Sequence, residues 1–228
     1  MTTSTTAMAD VRDMYMAHTT LRREFGLASG LVRGVPEGDV ARAAVVADHI
    51  TMLSTILHAH HGGEDELLWP RLLERGSQEI APIVHLMERH HEAIDRGNEE
   101  VGQRLAPWRG DPSAAHRESL ADAIDRLNPV LVEHMALEEE RILPLAEKYV
   151  TAAEWDELGA HSMSELPKKR LPLAFGMAMY EGDPEVIKHV LAGAPLPARL
   201  LMPLIAPRAY ASYARRLYGT PTPPRSAV

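Results

Sequence analysis

His60-His-Gly-Gly-Glu64-Asp-Glu-Leu-Leu-Trp-Pro70 decides how this chain is read, because His134-Met-Ala-Leu-Glu138-Glu-Glu-Arg-Ile-Leu-Pro144 repeats it 74 residues later. Each copy has a His, a Glu four positions on, two further acids, apolar residues, and a Pro ten positions after the His. Residues four apart stack on one face of an α-helix, so each copy aims an imidazole and a carboxylate at one place. A shorter element precedes each copy: His18-Thr-Thr-Leu21 and His91-Glu-Ala-Ile94, 73 residues apart. The chain reads as a duplicated helix pair, each pair supplying a His and then a His-x3-Glu.

Working outward, these motifs lie on four apolar stripes at helical spacing. The first runs from Val11 through Tyr15 and His18 to Phe25, and the second from Val46 through His49, His60 and Glu64 to Leu67. The third runs from Ile80 through Met87 and His91 to Leu105, and the fourth from Leu120 through His134 and Glu138 to Leu145. Gly34 to Asp39, Arg75 to Ser77 and Pro107 to Pro112 punctuate them. Connections this short favour antiparallel neighbours, and the predicted fold is all-α, an up-down four-helix bundle. Asp111-Pro112 is the expected start of the fourth helix. Thr151-Ala-Ala-Glu154 predicts a capping box on a shorter fifth helix.

Charge and proline divide the chain near residue 165. Beyond Glu165 there are nine Lys and Arg against three acids, a net +6, which leaves −14 of the total −8 on the rest. Ten of the 17 prolines follow residue 164. The expected organisation is a bundle with its fifth helix over 1–164 and a basic, Pro-rich helical extension over 165–228. Asp183-Pro184 should open a helix ending near Gly193. Leu200, Leu201, Leu204, Tyr210, Tyr213, Leu217 and Tyr218 are read as a face packing on the acidic bundle, and Thr220 to Val228 as a disordered tail. The acidic first part argues against nucleic acid as its partner. No run reaches the roughly 18 apolar residues of a membrane span, and Met1 to Ala9 lacks an apolar core. The reading is a soluble cytoplasmic protein with no membrane partner.

Buried, unpaired carboxylates are costly, and Glu64 and Glu138 both fall on core-facing stripes. A pair of cations would offset that cost. With no cysteine among the 228 residues, the donors are imidazole and carboxylate, a set that suits iron or manganese, with zinc also possible. The stripe and the repeat favour His91 over His90. The spacing to Pro70 favours His60 over His61 and His58. Tyr15, one turn before His18, is read as a packed residue or an outer hydrogen-bond donor rather than a phenolate ligand. His49 is read as structural. Asp65, Glu66, Glu139 and Glu140 are read as solvated or as outer partners of the ligands.

The pattern His18 … His60-x3-Glu64 … His91 … His134-x3-Glu138 resembles the hemerythrin-like, or HHE cation-binding, domains over roughly residues 10–150. The resemblance implies a bundle around two iron ions joined by an oxo bridge. His18, His60, His91 and His134 would be terminal ligands, and Glu64 and Glu138 would bridge. Oxygen-carrying members have a His-x3-His pair on the third helix, whereas Met87 stands four residues before His91 here. The expected site therefore has one nitrogen fewer than a carrier, and about two of twelve octahedral positions open. That points to a non-haem di-iron protein reacting with a small oxidant, hydrogen peroxide first (catalase- or peroxidase-like) and nitric oxide next. The alternative is a non-catalytic oxygen, nitric oxide or iron sensor or store.

Overall fold

Each apolar stripe becomes a helix whose inner face meets the same central axis. The computed structural model describes residues 7–76, 78 and 80–226. Helix α1 (Arg12–Arg33) is followed by α2 (Val40–Gly63), which passes through a π-helical turn (Glu64–Leu68) into α3 (Trp69–Arg75). Then come α4 (Ala81–Gly110) and α5 (Ala114–Arg141). In this ring α1 touches α2 and α5, and α4 touches α2 and α5. That is the neighbour pattern of an up-down bundle with short connections. Pro70 and Pro144 stand in the first turns of α3 and α6 (Leu143–Tyr149). A proline tolerates the first turn of a helix but not its interior, so both repeats break at the same place and continue as short helices.

Val40–Arg75 is long and apolar enough to cross a membrane by length and composition, which the sequence reading did not foresee. Those apolar residues serve the bundle: Val46, Ile50, Leu53 and Leu57 are buried in its core.

Three expected helix starts have different outcomes. Thr151 caps α7 (Ala152–Ser164) with a reciprocal capping box through Glu154, and Asp183 caps α9 (Pro184–Gly193). Asp111, by contrast, ends α4: its N–H donates to Pro107 O, and α5 begins three residues later, at Ala114 behind Ser113. By filling the Pro107 carbonyl with its own N–H, Asp111 closes α4 instead of opening the next helix.

Helices α8 (Leu171–Met179), α9 and α10 (Leu196–Tyr218) form the extension. Met177, Tyr210, Tyr213, Ala214 and Leu217 join one core cluster with Phe25, Leu53 and Ile124 of the bundle. Helices α8 and α10 approach so closely that a Cβ on Gly176 would lie 2.2 Å from the Ala206 carbonyl oxygen. Leu200, Leu201 and Leu204, expected in the docking face, are exposed. The Tyr210–Leu217 half of α10 does the docking instead. The Pro-rich tail is also tied down: Tyr180 Oη donates to Pro223 O (2.8 Å), and Ser226 N–H donates to Glu181 Oε1 (2.8 Å). Its last two residues lie outside the described ones.

A buried polar network beneath this contact involves residues the sequence reading left aside or called structural. Glu24, fully buried, accepts from Arg23 Nε (2.9 Å) and Nη2 (2.8 Å) and from Tyr210 Oη (2.9 Å) and Tyr218 Oη (2.5 Å). His49 joins it, Nε2 lying 3.4 Å from Glu24 and Nδ1 3.1 Å from Tyr213 Oη. Burial keeps this imidazole neutral, lowering its pKa to about 4.

Candidate metal centre

Among the described residues the apolar core falls into two clusters rather than one continuous core. Leu21, Phe25, Leu53, Leu57, Ile94 and Leu131 belong to one; Met14, Leu68, Trp69, Met87 and Ile142 belong to the other. Between them, at one level on all four helices, lies a layer of buried polar side chains: His18, His61, Glu64, His91, His134 and Glu138. His18 sits between Met14 and Leu21 on α1, and His91 between Met87 and Ile94 on α4. A polar layer across a core is expensive unless something in it satisfies the polar atoms.

The layer contains two groups of donor atoms, each with its atoms within 4.8 Å of one another. One is His61, Glu64, His91 and His134; the other is His18, His60, Glu64 and Glu138. Glu64 belongs to both. His18 Nε2 lies 3.3 Å from Glu138 Oε2, His60 Nε2 lies 3.2 Å from Glu64 Oε1, and His91 Nε2 lies 3.3 Å from Glu64 Oε2. Glu138 Oε2 is 3.7 Å from His134 Nε2, so this carboxylate borders the first group as well. Both oxygens of Glu64 and of Glu138, Nε2 of His18 and of His60, and both nitrogens of His61 are buried without a hydrogen-bond partner. Native proteins rarely leave buried polar atoms unpaired. Here eight converge on one layer, where cations would satisfy them.

The local winding explains how consecutive histidines both serve the layer. Glu64 follows His60 by four residues and His61 by three, and both spacings place side chains on adjoining parts of one helix face. The turn begins at Glu64 with a π-helical hydrogen bond from Trp69 N–H to Glu64 O. Single π-turns inside α-helices often mark functional sites. Pro70, lacking an N–H, makes no competing helical bond there. Gly63 lets α7 press against this turn, since a Cβ would meet Ser162 Oγ at 2.8 Å and Leu158 Cδ1 at 2.9 Å.

Two outer carboxylates fix the orientation of two imidazoles. An ionised carboxylate only accepts, so His18 Nδ1–H donates to Glu139 Oε1 (2.9 Å) and His91 Nδ1–H donates to Asp65 Oδ1 (2.7 Å). Each Nε2 then faces the layer, the arrangement typical of histidine ligands with a carboxylate behind them. Asp65 and Glu139 occupy equivalent places in the repeat, and each reaches the histidine of the other helix pair. Asp65 also accepts from Trp69 Nε1 (2.8 Å), and Glu139 from Arg22 (2.7 Å).

The electrostatics follow from burial set against these partners. Burial works against charge on His18, but Glu138 and Glu139 outweigh it and raise its pKa to about 9. Burial likewise opposes charge on His91, and Asp65 and Glu64 raise it to about 10. Burial and neighbouring cationic imidazoles hold His60 and His134 down to about 3. Glu64 is pushed up by burial and by Glu138. Glu138, also buried, is held down chiefly by His18. Without metal the layer thus offsets Glu138 with the His18 and His91 imidazolium ions, while burial and Glu138 push Glu64 toward its neutral form. With metal, cations take over that role. Asp65→Asn, which replaces one acceptor oxygen by an NH2 donor, should weaken metal binding roughly 10–100-fold, measured by competition with a chromophoric chelator. Glu66→Gln, at a neighbouring exposed position, should leave affinity unchanged.

A family model described as the hemerythrin HHE cation-binding domain matches residues 9–159, which contain every residue of the layer. The chain belongs to that family. No curated protein and no solved structure shows significant similarity to it. As a hemerythrin-family domain it is a metal-binding protein whose His and Glu clusters could hold the metal.

All six sequence-predicted residues, His18, His60, Glu64, His91, His134 and Glu138, come together in the two groups. His61, which the spacing to Pro70 set aside as a rival of His60, stands beside it in the other group. The signal was present as His-x2-Glu, but the comparison with the second copy hid it, because Met135 stands at the equivalent place. Against the expected nitrogen deficit, Met87 is buried core and His61 on α2 places a fifth imidazole among the donor groups. His90 is outside both groups, its ring 6.0 Å from that of His134. Tyr15 is exposed, and its hydroxyl meets the Glu139 carbonyl at 3.5 Å, so it stands at the rim.

Proposed function

We propose that this protein is a non-haem di-iron protein that reacts with a small oxidant, hydrogen peroxide first and nitric oxide next. The observation that carries the reading is the pair of donor groups sharing Glu64. A carboxylate common to two groups suits two ions held close enough to exchange electrons with one small molecule. Imidazole and carboxylate donors without thiolate suit iron. When bound, the irons would supply redox and Lewis-acid chemistry.

The chain's own residues do the rest. Glu64 would bridge, with Glu138 beside it. His18 and His60 would hold one ion, and His61, His91 and His134 the other. Asp65 and Glu139 keep Nε2 of His91 and His18 turned inward. Met87, Ile94 and Leu131, fully buried above and below the layer, exclude bulk water and admit only small molecules. Five imidazoles and two carboxylates would hold the pair of ions, with three imidazoles in one donor group and two, His18 and His60, in the other.

That count favours a second reading, reversible binding of oxygen or nitric oxide without turnover, because His61 restores the carriers' number of nitrogens. The two readings part experimentally. Iron-loaded protein should contain about two Fe per chain and show near-ultraviolet charge-transfer absorption. Sustained peroxide consumption, lost with the metal in His61→Ala but kept in His58→Ala, supports the enzyme. Stoichiometric, reversible spectral change without consumption supports the carrier or sensor. Protein that takes up no iron defeats both.

A further inference from the structure

The first half of α10 is built the wrong way round for a helix that covers a core. Leu196, Leu200, Leu201, Leu204 and Ile205 are 64, 64, 51, 57 and 45% exposed. At 100° per residue they share one arc with the exposed Pro197, Pro203 and Pro207. The opposite face, turned toward α8, carries only small or flexible side chains: Ala198, Met202, Ala206 and Ala209. A surface helix ordinarily puts its apolar stripe inward and its polar residues outward. Here the large apolar residues point away from the protein.

Charge identifies what would cover them. From Val186 to its end the chain contains no Asp or Glu. Arg199 and Arg208 are exposed within this half of α10. The Arg208 guanidinium folds back on the Leu204 carbonyl (2.6 Å), keeping a cation on the apolar face itself. The bundle, in contrast, carries the chain's negative charge. Five half-exposed side chains fall well short of the roughly 800 Å² per partner that a stable protein dimer buries. An apolar stripe edged by cations is, however, enough for peripheral attachment to a negatively charged lipid surface.

We propose that the first half of α10 is a docking surface for an anionic lipid bilayer. The helix lies in the interface plane, with its leucines turned toward the acyl chains and Arg199 and Arg208 among the headgroups. The acidic bundle, repelled by the same surface, is held on the far side. The attachment is peripheral, since the apolar half-helix is much too short to span a bilayer.

Co-sedimentation of the full chain with vesicles tests this. Vesicles of phosphatidylglycerol and phosphatidylcholine should bind at least tenfold more tightly than phosphatidylcholine alone, and the difference should shrink in high salt. The double variant Leu200→Asn/Leu204→Asn should lose at least tenfold in affinity. Both positions are exposed, so its circular dichroism and metal content should match wild type. No preference for anionic vesicles, or equal binding by the variant, overturns the proposal. Concentration-dependent dimerisation abolished by the double variant, without vesicle binding, overturns it in favour of a second copy of the chain.

Discussion

Glu64→Ala is expected to remove metal from both donor groups at once, and to change stability in opposite directions with and without metal. Its carboxylate is the one donor common to the two groups, so no single ion keeps its full set. Loss of stoichiometric binding, at least 100-fold in affinity, should be visible by metal analysis after desalting. In wild type, ions at about 1,000 times their dissociation constant would add roughly 4 kcal/mol to stability, and the variant should forfeit this. After chelation the sign reverses. Glu64 is then a buried carboxylate with both oxygens unpartnered, in a layer where burial and Glu138 already favour its protonation. Removing a buried polar group that lacks a hydrogen-bond partner recovers its desolvation cost. Chelated Glu64→Ala should therefore unfold no earlier than chelated wild type in urea. A variant that unfolds earlier without metal would show that Glu64 is satisfied by the protein alone, and the site would lose its main argument.

The second large effect lies at the other end of the bundle. Glu24→Ala should cost about 3–5 kcal/mol, the usual result of stripping the partner from a buried charge, and lower Tm on the order of 10 °C. The change leaves Arg23, itself buried, with Glu181 (2.5 Å) and the Met177 carbonyl (2.9 Å) as its remaining acceptors. It also strands the Tyr210 and Tyr218 hydroxyls. Because these tyrosines hang from α10, the extension should loosen first, seen as faster proteolysis after Lys168–Arg170 and after Arg208. Iron content should stay at the wild-type level, since Glu24 contributes to neither donor group. Arg23→Met on top of Glu24→Ala should recover part of the loss by removing a buried cation left with fewer acceptors, and a double-mutant cycle would measure the coupling.

Tyr218→Phe offers a graded companion. It deletes one donor to Glu24 but leaves Arg23 and Tyr210 in place. A loss of about 1 kcal/mol is expected, well below that of Glu24→Ala.

The four helices and the level of the metal layer were legible in the sequence because both depend on periodicity. A helix returns to the same face every three to four residues, so apolar stripes fix which side of each helix is inside. A His or Glu on such a stripe is then fixed inside too, and the duplication of His-x3-Glu set all four helices at matching heights. Pro70 and Pro144 were equally readable, since the missing N–H acts locally. What depends on contacts between distant residues was not readable. His61 lies off the repeat and becomes a candidate ligand only because α4 and α5 place His91 and His134 opposite it. Asp65 and Glu139 are indistinguishable in sequence from the solvated acids beside them, and only the packing of α2 against α4 and of α1 against α5 gives each an imidazole. The Glu24 network required α10 to fold back over α1, and the outward face of α10 required Gly176 to let α8 approach its small side. One helix's rotation is set by its own residues, but which side chains from other helices meet it is set by packing, which only the tertiary structure decides.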